Sequence, residues 1–572
     1  MNKTIVLISF IITSYSEKLF AQAADRFAVV ITEFFPDPSP SIGLPGGEFI
    51  ELTNRSFVPI DLQNWKISDG SSIATITSHF ILQPNSQVIL CATSAAISYA
   101  SYGKTIGVTG IPSLNNDADM ILLYSPEGRI IHAVSYSDKW YQNELKAEGG
   151  WTLEMIDINN PCGADNWKAS IHTLGGTPGN KNSVDAINID TIPPALIRTY
   201  AIDSMKIVAL FDEPLDSFTA SHISNYQFNS FSAIIKSVLP LSPMYQEVEI
   251  TLDSPLQKKS IYQLIVKNIT DCQGNSIGFM NKANAGIPMT PNYFDIIINE
   301  ILFNPVADGY DYIEVFNRSK AIVDCSKLYI ANKNSSGSIT NSRQLTSVPF
   351  LFYPGEYIVV SESGSWIRKQ YLVKSPDQLL TLSALPSMPD DKGNIVLLNY
   401  QGQIIDALGY DQKWHFAILD NKEGVSLERL NYNDSSQLSS NWTSAASSAG
   451  FGTPTYQNSQ FSAASGVKAQ IQCDPNIFSP DNDGYDDFIT VRVMLNEPGF
   501  SGSIAIYDLN GRRVKTLVKS ATLSVSSVFR WDGLNDQQQM LPTGIYIIVT
   551  EIFNLKGETK KIKNVVTLAK RF

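Results

Sequence analysis

"GEFIELTNRS", Gly47 to Ser56, and "YDYIEVFNRS", Tyr310 to Ser319, say nearly the same thing 263 positions apart (310 − 47). The match continues on both sides. Upstream, "VITEFFPDP" (30–38) faces "IINEILFNP" (297–305) and sets Glu33 against Glu300. Downstream, "PIDLQNWKIS" faces "IVDCSKLYIA", aligning Asp61 with Asp324. Next, "MILLYSPEGRIIHAVSYSDKW" faces "IVLLNYQGQIIDALGYDQKW", ending at Trp140 and Trp414. "GGWTLEM" then faces "EGVSLER", "DNWKAS" faces "SNWTSA", and "GTPGNKNS" faces "GTPTYQNS". A match sustained this far, with an offset that drifts as loops lengthen, is a duplicated domain of about 150 residues.

Each copy is a string of short Val-, Ile-, Phe- and Tyr-rich runs separated by Gly, Pro, Asn and Asp. "EFIEL" and "DYIEV", "QVILCA" and "EYIVVS", "MILLYS" and "IVLLNY" have the length and composition of strands. No stretch holds a 3.6-residue apolar period over ten residues. The pattern predicts an all-β chain of antiparallel β-sandwiches. At 572 residues the chain is too long for one core. The expected boundaries are a signal peptide at 1–23, then modules at 27–184, 188–288, 293–460 and 468–572, the last after a Ser/Ala-rich joint, "SQFSAASG".

The start reads as an export signal: Lys3, the apolar run "IVLISFIIT", and an A-x-A site at 21–23. No later run reaches the roughly 18 apolar residues a membrane helix needs, so the expectation is a secreted or cell-surface protein without a transmembrane segment. The net charge of −12 argues against nucleic acid. The end differs in sign, with thirteen Lys/Arg against eleven Asp/Glu from Lys468 onward. Five cysteines without CxxC spacing argue against a metal cluster, and the odd number leaves at least one thiol unpaired or intermolecular. Cys91 in "QVILCATS" reads as a small core residue on a strand.

The order "ITEF…GEFIELTNRS…IDLQNWKISD", then "GGWTLE…NW…GTPGNKN", resembles a lamin tail domain of the bacterial, secreted kind. The second copy is similar throughout but has Leu328 where the first has Trp65. The resemblance implies tandem Ig-like sandwiches used for binding or display, with no catalytic residues to carry over. Between the copies, "YQLIVKNITDCQGNSI" resembles the close of a bacterial Ig-like domain. The final "FSPDNDGYDDFI", "IAIYDLNGRRV", "FRWDG" and "LPTGIYIIV" resemble C-terminal modules of gliding, type IX-secreting bacteria. They equally resemble the Ig-like half of flagellar hook-capping proteins.

Glu51 and Glu314 lie inside apolar strands with Arg55 and Arg318 four positions on. Catalytic carboxylates would be paired and face a cleft; the favoured reading is a charge held by backbone N–H groups or by the nearby arginine. "DNDGYDD" offers Asp481, Asp483, Asp486 and Asp487 around Gly484 as a candidate calcium cage. Its spacing departs from the EF-hand, and a turn bonded to its own backbone is the favoured alternative. Trp140 and Trp414 suit sugar stacking, but Trp167 and Trp442 recur with the fold, so core or loop-pinning roles are expected for all four. The five histidines are scattered, and HExxH, GxSxG, P-loop and GxGxxG motifs are absent. The resulting expectation is a non-catalytic surface protein without a cofactor. Its partner would be a protein or a cell-envelope polysaccharide, and its last module would dock on a secretion or anchoring machine. A carbohydrate-binding accessory protein is the alternative, and an extracellular hydrolase comes third. Five lysines and arginines, Lys560, Lys561, Lys563, Lys570 and Arg571, surround the terminal strand "NVVTL" and make it the candidate handle.

Overall fold

The computed structural model describes residues 24–230, 233–334, 336–417, 419, 421–461, 470–554 and 559–569. The leader assigned to 1–23 and the basic residues Lys570 and Arg571 lie outside them. Both repeat copies build the same pair of sheets. In the first copy a six-stranded sheet runs in the order Trp167–Ala169, Leu153–Met155, Val29–Phe35, Phe49–Asn54, Gln87–Ala92, Thr105–Val108. It is faced by a four-stranded sheet, Ile130–Ser137, Ala118–Tyr124, Lys66–Ser68, Ile73–Thr75. The second copy repeats both orders strand for strand, from Trp442–Ser444 to Leu379–Thr381 and from Ile404–Asp411 to Ile339–Gln344.

The repeated motifs mark positions where backbone groups must be satisfied. Asn54 and Asn317 each donate through Nδ2 to two carbonyls, Val58 and Leu82 in one copy, Ala321 and Phe352 in the other. Their Oδ1 atoms accept from the N–H groups of Ser56 and Ser319. Asp61 accepts from the N–H of Gln63 and Phe80, and Asp324 from that of Ser326 and Phe350. "NRS" is therefore a turn lock. Trp65 and Leu328 are both core residues, at 2% and 0% exposure, so the change of residue keeps the position apolar.

The first strand of each copy carries a bulge, between Ile31 and Glu33 and between Ile298 and Glu300. Two residues thus fit between the core side chains Ile31 and Phe34, or Ile298 and Ile301, where strict alternation would allow one. The large antiparallel sheet of each copy carries one parallel neighbour at an edge. Gln87–Ala92 pairs parallel with Thr105–Val108, and Tyr357–Ser361 with Leu379–Thr381. A parallel neighbour requires a crossover of about a dozen residues, supplied here by segments holding the short helices Ala96–Tyr99 and Gly364–Gln370.

Between the copies, strands Leu196–Ala201, Lys206–Phe211, Glu247–Leu252 and Ile235–Leu241 form one sheet, and Tyr226–Phe228, Tyr262–Val266 and Lys282–Ala285 a second. The C-terminal region pairs a three-stranded with a five-stranded sheet around Trp531 and Phe478. The chain divides into two compact units. One comprises Met1–Arg198, Met205–Pro255 and Tyr262–Asn284, and the other Thr199–Ser204, Leu256–Ile261 and Ala285–Phe572. No helix among the described residues is long and apolar enough to cross a membrane.

Within the first unit, Cys162 and Cys272 form a disulfide across 110 residues, and Arg26 stacks between the rings of Phe27 and Tyr245. Cys91 and Cys325 are buried thiols, and Cys473 is half-buried. A crosslink closing a loop of that length stabilises by roughly 2–5 kcal/mol. Reduction, or Cys162→Ser, is therefore expected to lower the melting temperature of the first unit in calorimetry of the full chain, while Cys325→Ser, in the second unit, leaves the first unit's transition unchanged.

Candidate functional site

The bulge sets three carboxylates side by side on the face of each large sheet that turns away from its partner sheet. Glu154, Glu33 and Glu51 are directly paired across three strands, as are Glu428, Glu300 and Glu314. All six are fully buried. Like charges directly opposite are destabilising, and a buried carboxylate without donors costs more still. The donors come from the closing "GTP…NS" segment, laid across this face.

The fastening is the same in both copies. The Thr177 N–H donates to Glu33 at 2.8 Å and the Gly179 N–H to Glu51 at 2.7 Å. The Thr453 N–H donates to Glu300 at 2.9 Å and the Thr455 N–H to Glu314 at 2.6 Å. Ser183 and the Val184 N–H serve Glu154, as Ser459 and the Gln460 N–H serve Glu428. Asn182 donates to the carbonyls of Thr32 and Met155, and Asn458 to those of Asn299 and Arg429. The approach is tight enough to demand glycine: a Cβ on Gly176 would lie 2.6 Å from Thr152 Cγ2 and 2.8 Å from Glu33 Oε1. Glu51 also accepts from Thr32 and Gln87. Arg55 and Arg318 take no part, donating instead to the carbonyls of Phe27 and Phe294. The expected backbone partner is present and the expected arginine is not.

These clusters retain protons. The Thr453 hydroxyl lies 2.8 Å from both Glu300 and Glu428, and one hydroxyl proton cannot serve both, so one carboxyl must be protonated and donate. Burial, with the neighbouring carboxylates adding to it, holds Glu33 and Glu314 well above the usual carboxylate range. Burial pushes Glu51 and Glu428 up to about 8. With no exposed surface, the six carboxyls cannot meet a substrate in this structure, and their geometry serves to fasten the fold.

Where the copies differ, they solve one problem in two ways. The bulge leaves the N–H of Ile31 or Ile298 without a strand partner. In the first copy it donates to His132 Nδ1 at 2.9 Å, whose Nε2 donates to the Pro161 carbonyl, and burial lowers this imidazole to about 4. In the second it donates to Asp406 at 2.8 Å, which is ion-paired with the fully buried Arg429. Arg429 also donates to the carbonyls of Ile298 and Asp434 and to Ser436.

The other candidate residues fall as follows. Carboxylate oxygens of Asp481, Asp483 and Asp487 lie within 4.8 Å of one another; Asp486, at φ 52°, is not in this group. Asp487 accepts from the N–H groups of Asn482 and Gly484, Asp481 from Asp483, and Asp483 from Tyr485. Trp167 and Trp442 are core residues at 3% exposure each. Trp140 is half-buried and stacks on Trp167, 6.1 Å away at 21°, and Trp414 packs partly buried on the second core. His132 and His415 are buried; His415 Nδ1 pairs with the Ser444 hydroxyl. A second acidic group, Asp190, Glu213 and Asp271, is also within 4.8 Å. Sequence reasoning missed it because three separate segments supply it.

Residues 22–138 match the Lamin Tail Domain. Residues 472–568 match the CHU_C type IX secretion signal domain. The fold of the lamin tail domain region is the Ig-like β-sandwich described above. No curated protein matches the chain. Among solved structures the chain is similar to the S-layer protein rSbsC(31-844), with 12% identity and a TM-score of 0.16 over 66% of this chain and 54% of that one. It is similar to dimeric latent PorU from Porphyromonas gingivalis, with 11% identity and a TM-score of 0.15 over 71% and 35%. A calcium-stabilised adhesin that helps an Antarctic bacterium bind ice gives 8% identity and a TM-score of 0.12 over 96% and 100%. The chain thus spans about half of the S-layer structure and about a third of PorU, and scores this low establish no shared overall arrangement.

The clusters make stability of the lamin tail domain pH-dependent. Glu51 is neutral in the fold up to about 8 but ionises near 4.5 when unfolded, so its contribution is complete below 4.5 and is lost as pH rises through 8. Glu51→Gln is expected to flatten the fall of the urea midpoint between pH 5 and pH 9, measured against wild type. Glu51→Ala, which strands the donors of Gly179, Thr32 and Gln87, is expected to cost roughly 3 kcal/mol at pH 5 and less as pH rises through 8.

Proposed function

We propose that the protein is an exported, non-catalytic surface protein for adhesion, display or protein binding, delivered by its C-terminal module. The observation that carries this reading is the match of residues 472–568 to a type IX secretion signal domain, following two sandwiches fastened identically. Tandem modules with similar faces give avidity beyond either alone when both engage one surface.

The terminal strand supports a docking role. Thr559–Leu568 pairs along one side with Gly544–Asn554, but on the other, among the described residues, only Thr567 and Leu568 are paired, with Ile477 and Phe478. Lys560, Lys561 and Lys563 are exposed along this strand, and Lys561 pairs with Glu551. A basic edge steers encounter with an acidic receptor and can accept a further strand; the same lysines protect it from pairing with itself. Calcium is a subordinate proposal for the Asp481, Asp483 and Asp487 loop of the same module.

Deleting residues 470–572 is expected to leave the upstream domains folded, by proteolysis and circular dichroism, while the chain accumulates in the periplasm in fractionation. Truncated protein reaching the surface at normal yield removes the sorting role. A glycan array probed with the full chain tests the carbohydrate alternative, which gains if binding is saturable and lost in Trp140→Ala or Trp414→Ala. For calcium, the C-terminal transition of the full chain is expected to melt higher in millimolar calcium than in chelator; an unchanged melt returns the loop to its own hydrogen bonds.

A further inference from the structure

The first unit contains a cavity of about 160 Å³ that the fastening of the sheets does not use. One wall is Trp140, backed by Trp167 and the Cys162 end of the disulfide. Asp212, Glu213, Met244 and Gln246 also line it. Drug-sized pockets run from about 300 to 1,000 Å³, so this one is sized for a single side chain or a small fragment.

Its charge is one-sided. None of its lining residues is cationic. Glu213 has no hydrogen-bond or ion-pair partner among the described residues. Burial and the surrounding Asp190, Asp271, Asp212 and Asp165 push its carboxyl up to about 8. Arg26, which packs on Tyr245 between the lining residues Met244 and Gln246, is engaged by two rings and the Leu215 carbonyl. Asp271 is likewise committed, accepting from Gln273 and Asn275. The uncommitted group is Glu213, which shares the lining with the Trp140 indole.

An indole and a carboxyl with no partner, lining one small cavity, are the elements that recognise an ammonium on an alkyl chain. The ring quadrupole attracts the cation, the carboxylate pairs with it, and Trp140 and Met244 cover the methylenes. We propose that this cavity binds an alkylammonium group the size of a lysine side chain. This deepens the proposed binding role and rests on it; a titration on purified protein fails or succeeds independently of where the chain is delivered.

The experiment is calorimetric titration of the full, oxidised chain with n-butylammonium, with Nα-acetyl-lysine methylamide, and with the Nε-acetylated form of the latter. Saturable binding of the two amines and none of the acetylated form is expected, weakened roughly tenfold or more by Glu213→Gln. Glu213 has no partner to lose, so that variant should fold; a Trp140→Phe variant, which keeps a ring against Trp167, should weaken binding less than Glu213→Gln. Tighter binding of the lysine amide than of butylammonium assigns the source to a partner protein, and equal binding assigns it to free amines. Absent binding, equal binding of the acetylated form, or Glu213-dependent calcium binding that the amines do not displace would each overturn the proposal.

Discussion

Three buried carboxylates in a row across the central strands are the constraint on which each of the two repeated sandwiches depends. They cannot be left without donors in an apolar interior, where one unsatisfied charged group costs several kcal/mol. The sheet's own ladder uses its N–H groups, and the one that the bulge releases, from Ile31 or Ile298, goes to His132 or Asp406. The closing segment must therefore lie across the outer face and present Thr177, Gly179 and Val184, or Thr453, Thr455 and Gln460, in register. Both faces of the sheet are then buried, which is why all of Val29–Phe35 and Ile296–Leu302 is inaccessible. The bulge is part of the same solution, since it admits Thr32 and Glu33 together between two core residues.

The two copies show how much freedom that constraint leaves. At Thr455 the second copy keeps a left-handed backbone, φ 72°, where the first uses Gly179 at φ 76°. A β-branched residue there costs of order 1–3 kcal/mol, and it is retained because the N–H must reach Glu314. The Thr455 hydroxyl offsets part of the cost by accepting from the N–H groups of Lys374 and Ser375. Replacing His132 and Met155 by Asp406 and Arg429 exchanges a neutral hydrogen bond for a buried ion pair. Such pairs add little net stability over an apolar pair but are costly to break, so the second copy is locked into its variant.

The duplication and the strand runs were legible because short apolar runs and turn residues are local signals. "NRS", "NW" and "GTP…NS" recur because each performs one backbone task. The expected Glu51–Arg55 contact failed for a reason of strand geometry. The strands end at Asn54 and Asn317, so each arginine sits in the turn beyond and donates to the carbonyl of Phe27 or Phe294. The parallel pairs were missed because four-residue helices such as Ala96–Tyr99 leave almost no periodic signal. Asp190, Glu213 and Asp271 were missed because only the packed chain brings those segments together. Of the "DNDGYDD" carboxylates three converge and Asp486 does not, a matter of local backbone angles that composition does not carry.

The fastening segment also limits where the chain can be divided. In the second copy the Gln460 N–H donates to Glu428, while its side-chain amide donates to the Leu523 carbonyl of the C-terminal module. The Ser459 carbonyl accepts from the Val525 N–H, and Ser447 donates to the Thr522 carbonyl. The residues that close the buried carboxylate row are thus the residues on which the secretion-type module rests. A truncation beginning before Ser459 removes two donors from a buried carboxylate and unfastens the second sandwich, so a loss of export from such a chain reports folding. One beginning after Phe461 leaves Glu428 satisfied and frees the Gln460 amide, the Ser459 carbonyl and the Ser447 and Ser448 hydroxyls, which water can serve once the surface is open. The boundary between folding and sorting therefore lies within a few residues, set by which donors Glu428 requires.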